Sequence, residues 1–149
     1  MKIKSYWRKT MNREIKFRGY NEFEKKWVYG YGLHQSIFID GSSNAYVTAG
    51  IREVFIVDKE SAGQYTGYKD ANGKEIYEGD IIRLEGVDDR EIGSTWEHIG
   101  KIVYKRGAFF VCYFDYYADG DEELICDAQV EFGTVIGNIY ENKNLLEED

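Results

Sequence analysis

The sequence predicts a mainly β fold, at most a β-dominated α+β one, and three observations carry that expectation. Thirteen Tyr, eight Phe and three Trp stand against two Met, and flat or branched side chains suit a pleated surface. Apolar and polar residues alternate through much of the chain, while a helical period is scarcely visible. Turn signals recur between short apolar runs. They rest on Gly, Asn and Asp, because the chain has 16 Gly and no Pro.

In chain order, the first strand begins near Arg13, with Ile15 and Phe17 on one side and Lys16 and Arg18 on the other. Asn21-Glu22-Phe23-Glu24-Lys25-Lys26 is a polar hairpin connection. A single strand over 27–33 then places Trp27, Tyr29, Tyr31 and Leu33 on one apolar face, with Val28, Gly30 and Gly32 opposite. Two glycines on one face let another element pack close to that backbone. Short strands are expected at Ser36–Ile39, Ala45–Thr48 and Glu53–Val57. Asp70-Ala71-Asn72-Gly73 is a tight turn, since Asn and Gly tolerate the left-handed backbone it needs. Gly79-Asp80 leads into the apolar run Ile81–Leu84, and a polar loop is expected from Gly86 to Gly100. Lys101–Lys105 and Ala108–Tyr116 read as a hairpin turning at Arg106-Gly107. Glu122–Val130 follows across Ala118-Asp119-Gly120, then Thr134–Tyr140, and Asn142–Glu148 is a short helical or frayed tail. Residues 79–140 thus hold about five strands, the number of a small SH3-like or OB-like barrel.

At 149 residues the chain is one domain, or two small ones sharing a core. The expected division is a basic arm over 1–11, an N-terminal β-rich part over 12–63, a small barrel over 64–142 and a tail over 143–149. The arm carries Lys2, Lys4, Arg8 and Lys9 without an acid, and Met11 is an alternative start. With a formal charge of −8, the chain repels phosphate backbones, which weighs against nucleic acid as a partner. No apolar run is long enough for a membrane helix, and the beginning lacks the apolar core of a signal peptide. The cytoplasm is the expected compartment.

Candidate chemistry is sparse. Cys112 and Cys126 fall opposite each other if the hairpin loop is Ala118–Gly120, which would permit a cross-strand disulfide. Two buried free thiols are the plainer expectation in a reducing compartment. His34 and His98 sit in no ligand-spaced cluster, and no metal or other cofactor is expected. Glu78 and Asp80, two apart, could form an acid/base pair; Asp80 capping local amides at the strand entrance is preferred, and an enzyme is not expected. Asp115, Asp119, Asp121, Glu122 and Glu123 read as a solvated acidic hairpin tip. Protein contact is assigned to the aromatics Trp27, Tyr29, Tyr31, Tyr65, Tyr68 and Tyr77. An alternative nucleic-acid face would use Arg83, Lys101, Lys105 and Arg106.

Three blocks carry a resemblance to a known family. They are REIKFRGYNEFEKKWVYG (Arg13–Gly30), QYTGYKDANGKEIYEGDIIRL (Gln64–Leu84) and VIGNIYENKNLLEE (Val135–Glu148). In order and spacing they resemble the YopX-like family of bacteriophage and prophage proteins. The chain departs from that family at Gly19-Tyr20-Asn21, where an aromatic or charged pair is usual. The resemblance implies a β-rich fold with an SH3-like barrel in its C-terminal part, a mobile-element origin and self-association. It brings no catalytic residue. The expected function is therefore an accessory protein that binds itself or a host or phage protein.

Overall fold

The computed structural model describes residues 14–87, 92–114 and 121–146. The expectations for the basic arm, Met11, Asp115, Asp119 and the Ala118–Gly120 turn lie outside these residues. Twelve strands are described: β1 (Phe17–Asn21), β2 (Lys26–Gly30), β3 (Gly32–Ile37), β4 (Ser43–Gly50), β5 (Glu53–Val57), β6 (Gly63–Lys69), β7 (Glu75–Tyr77), β8 (Asp80–Val87), β9 (Thr95–Lys105), β10 (Ala108–Tyr113), β11 (Glu122–Leu124) and β12 (Thr134–Asn138). Single 3-10 turns lie at Val130–Phe132 and Lys143–Leu146. The fold is mainly β.

Three antiparallel sheets form, in the orders β2-β1-β6-β7, β3-β4-β5 and β11-β10-β9-β8-β12. The third curls into a half-barrel, with β11 and β12 as its outer strands. Strands β6 and β7, whose segment begins the expected barrel region, extend the sheet of β1 and β2.

Strand alternation makes the β1–β2 hairpin a middle layer. Paired residues share a face, so Gly19, Val28 and Gly30 lie on one side and Arg18, Tyr20, Trp27 and Tyr29 on the other. The first side packs on β4 and β5, where Val28, Ala45, Val47 and Val57 form a small core. Gly30 is the close-approach glycine its sequence position suggests. A Cβ there would stand 2.3 Å from the Thr48 carbonyl oxygen, backbone against backbone. Gly30→Ala should therefore cost about 1–3 kcal/mol through forced separation of the layers, read as a lower urea midpoint. Gly19, where the chain departs from family usage, lies within β1 and has the Val57 side chain where a Cβ would stand.

The expected single strand over 27–33 is broken at Tyr31, where the chain leaves the first sheet for the second. There Tyr31 N donates to Thr48 O at 2.8 Å. The expected Gly86–Gly100 loop is also corrected. Residues Thr95–Gly100 extend β9 and pair with β8 as far as Val87↔Thr95. Polar residues such as Glu97 hid this arm because one of its faces is open to solvent. At the turn after β9, Arg106 and Gly107 both take positive φ, as a two-residue hairpin requires.

The larger core joins Ile82, Leu84, Ile102, Phe109 and Val111 of the half-barrel to Ile125, Ala128 and Val130 of the segment that crosses it. Ile76 from β7 is fully buried in the same core, so the first sheet is anchored in the third. Asp70 adds a polar staple. Its Oδ1 accepts from Asn72 N and Lys74 N within the β6–β7 turn, and its Oδ2 accepts from Val135 N of β12 at 3.0 Å.

Candidate functional site

Among the described residues the densest buried polar arrangement is Arg18 with Asp80, 5% and 1% exposed. Arg18 Nη2 donates to Asp80 Oδ1 at 2.6 Å, and Tyr77 N donates to Asp80 Oδ2 at 2.8 Å. The guanidinium carbon lies 4.7 Å from the Trp27 ring and 4.9 Å from the Tyr77 ring. An arginine is thus held between two aromatic faces and closed by a carboxylate. Burial pushes the Asp80 carboxyl above the ordinary aspartate range, against the pull of Arg18 and of the Tyr77 amide. Glu78 is half-buried, and burial raises its carboxyl as well. The strand-entrance role expected for Asp80 is met, but most of its setting comes from Arg18, 62 residues away.

A cleft of about 170 Å³ opens beside this pair, lined in part by Trp27, Ser61, Glu78, Asn138 and Tyr140. Tyr20, Trp27 and Tyr140 form an aromatic cluster with ring centres 5.5–5.9 Å apart. The Tyr140 hydroxyl reaches Glu22 at 2.7 Å and Asp58 at 3.1 Å, and these acids raise its pKa.

The aromatic residues chosen as contacts therefore divide. Tyr65 and Tyr77 are buried, and their rings pack on each other at 5.5 Å. Tyr68 packs on the larger core and Trp27 on Arg18, and both are half-buried. Burial raises the hydroxyls of both Tyr65 and Tyr77. Tyr29 and Tyr31 remain exposed. Strand alternation shows which residues share a face, but not that β7 and β8 cover this one.

Arg83, Lys101 and Lys105 do share the outer face of the half-barrel. Arg83 pairs with Glu97 at 3.3 Å, and Lys105 and Arg106 both meet Glu122. Lys101 lies over the Phe114 ring. Ion pairing with carboxylates weakens what this face offers a phosphate chain. Glu122 is consequently an ion-pair acceptor, where a freely solvated tip was expected.

The register expected for the cysteines, and the burial expected of both thiols, are corrected too. The ladder sets Cys112 opposite Glu122, and β11 ends at Leu124, before Cys126. Both thiols are free, Cys112 half-buried and Cys126 exposed. His34 stacks on Tyr46 and His98 on Trp96. No group of three or more potential metal ligands occurs among the described residues, nor does a helix long and apolar enough to cross a membrane.

Among the described residues two further surfaces are open. One is the edge of β3, Gly-Leu-His-Gln-Ser-Ile, which carries no charged residue. Leu33 and Ile37 face the same side as Val47 and Ser43, but the covering layer rests on β4 and β5, and Ile37 is left 75% exposed. Tyr31, Phe38 and Ile39 flank it, all exposed. By contrast, side chains occupy two amides along the β12 edge: Asp70 takes Val135 N and Asn142 takes Asn138 N. The other surface is a cleft of about 340 Å³ at the open end of the half-barrel, between Trp96, Tyr113 and Phe132.

The family model described as YopX protein matches residues 16–147. Among solved structures, protein yopX from Bacillus subtilis is similar at 20% identity over 90% of this chain and 97% of that one, with a TM-score of 0.50. Protein EF1440 from Enterococcus faecalis is similar at 25% identity over 89% and 98%, with a TM-score of 0.47. No curated protein matches the chain.

Proposed function

This chain belongs to the YopX family, and from that premise we propose that it is a small phage or prophage accessory protein that works in the host cytoplasm by binding protein chains, first of all a second copy of itself. The observation that carries this reading is the β3 edge. Strand edges in proteins that stay apart are blunted by charge, bulges or a covering element. Gly32–Ile37 has no charged residue and leaves Leu33 and Ile37 exposed. A second β3 laid antiparallel against it would continue the ladder through main-chain hydrogen bonds and cover both side chains at once. Such a pairing is self-complementary, as a two-fold contact requires. No carboxylate lies within the strand, so the pairing sets no like charges directly opposite each other.

The test is light scattering on the purified protein beside the double substitution Leu33→Lys/Ile37→Lys. The unaltered chain should run above the monomer mass of 17.4 kDa, and the variant should fall to it with its far-ultraviolet circular dichroism unchanged. An unaltered chain that stays monomeric across working concentrations, or a variant that stays assembled, would overturn the proposal.

A further inference from the structure

The cleft at the open end of the half-barrel has a composition that selects its ligand. Ladder pairing places Leu84, Trp96, His98, Tyr113 and Glu123 on the sheet's inner face, continuous with the buried core residues Ile82, Ile102 and Val111. The crossing segment covers that face only part of the way, with Ala128 and Val130 in the core and Asp127 and Phe132 on the rim. Gly86 gives the indole its place, since a Cβ there would stand 2.4 Å from the Trp96 ring. His98 stacks on Trp96 with ring centres 5.2 Å apart, and Tyr113 stands edge-on to His98 at 5.8 Å. The walls are thus aromatic and held in place. Phe132 is 71% exposed and Trp96 42%.

Among the described residues the side chains that charge the cleft are of one sign: Glu123 and Asp127 line it, and no described Lys or Arg does. The Tyr113 hydroxyl donates to Glu123 Oε2 at 3.0 Å, which fixes that carboxylate against an aromatic wall. Aromatic faces beside carboxylates, at the edge of an apolar core, attract an organic cation by cation–π and ionic terms together. A flat guanidinium fits better than an ammonium, because it stacks on a ring while its edge meets a carboxylate in fork geometry. The same chain already contains that arrangement filled. Arg18 lies against Trp27 and Tyr77 with Asp80 at its edge, and the cleft presents aromatic faces and carboxylates of the same kinds.

We propose that this cleft binds an arginine side chain presented by a partner protein, with Trp96 as the stacking surface and Glu123 and Asp127 as the acceptors. The site is on a different sheet from β3, so it serves a partner of different chemistry and does not rest on self-association.

The experiment is a nitrogen–proton NMR titration of the full chain in 0.15 M salt with the peptide acetyl-Gly-Arg-Gly-amide. Two control peptides carry citrulline or lysine in place of arginine. The Trp96 indole signal, assigned by its loss in Trp96→Phe, should shift saturably with a Kd of about 1 mM for so small a probe. The citrulline peptide should bind at least about tenfold more weakly, and the lysine peptide several-fold more weakly. Asp127→Asn and Glu123→Gln, both at the surface, should each weaken binding about tenfold without moving the other indole signals. An unsaturable shift, equal binding of arginine and citrulline, tighter binding of lysine, or indifference to both acid substitutions would overturn the proposal. The Leu33→Lys/Ile37→Lys variant should bind the arginine peptide unchanged; loss of binding there would overturn the independence of the two sites.

Discussion

Asp80→Ala should lower the unfolding free energy by about 3–5 kcal/mol, measured by urea denaturation at neutral pH. The substitution leaves the Arg18 guanidinium buried with its ion partner gone, and it strips the Tyr77 amide of its acceptor. Total stabilities of about 5–15 kcal/mol are usual, so the variant stands near the edge of folding. The stacking of Arg18 on Trp27 and Tyr77 retains part of the site, but aromatic faces do not replace a carboxylate. The double substitution Arg18→Met/Asp80→Leu should recover most of the loss, because two apolar side chains carry no desolvation cost. A single-substitution effect below about 1 kcal/mol would show the pair to be energetically idle.

Asp70→Ala should be nearly as damaging, at about 2–4 kcal/mol, since it frees the amides of Asn72, Lys74 and Val135 together. The pH dependence carries the signature. Burial pushes the Asp70 carboxyl upward, but the three amides outweigh it and hold the carboxyl below the ordinary aspartate value of 3.8. A group with a depressed folded-state pKa adds stability that is fully present above its unfolded value and is lost as pH falls through the folded one. The gap in unfolding free energy between the unaltered chain and Asp70→Ala should therefore be constant at neutral pH and narrow below about pH 4. Urea midpoints taken at intervals from pH 7 to pH 3 check this. A gap that widens in acid would contradict the assigned hydrogen bonds.

Local chemistry made much of the architecture readable. The Asp70–Gly73 turn and the Arg106-Gly107 turn each occupy their expected place, because Gly73 and Gly107 take the left-handed backbone that glycine accepts without strain. The close approach at Gly30 was legible for a related reason: an alternating strand with small residues on one face implies a neighbour there. Five strands are described between residues 80 and 138, the number expected for the C-terminal part, and the matched family span 16–147 takes in the central block whole and the outer two except for residues 13–15 and 148.

Misreadings arose where a segment's role depends on distant residues. The arm Thr95–Gly100 looked like loop because a strand with one solvated face and a glycine end has little apolar signal. The register of β10 with β11 is set by the length of their connection, which alternation does not specify: Cys112 meets Glu122, four residues short of Cys126, and β11 ends before Cys126 is reached. The open cleft was missed for the same reason, since Trp96 stood in the supposed loop.

The order of side-chain types along the chain determined by itself that the backbone would extend, turn at particular glycines and asparagines, and bury one side of each strand. Only the tertiary structure decided which sides would be covered. Arg18 alternates like an outward residue, yet it is interior because β7 and β8 bring Tyr77 and Asp80 across it. Ile37 alternates like an inward one, yet it is exposed because the covering layer rests on β4 and β5. The physical reason is that alternation is set by the geometry of one strand, whereas burial depends on how far a second layer extends over it.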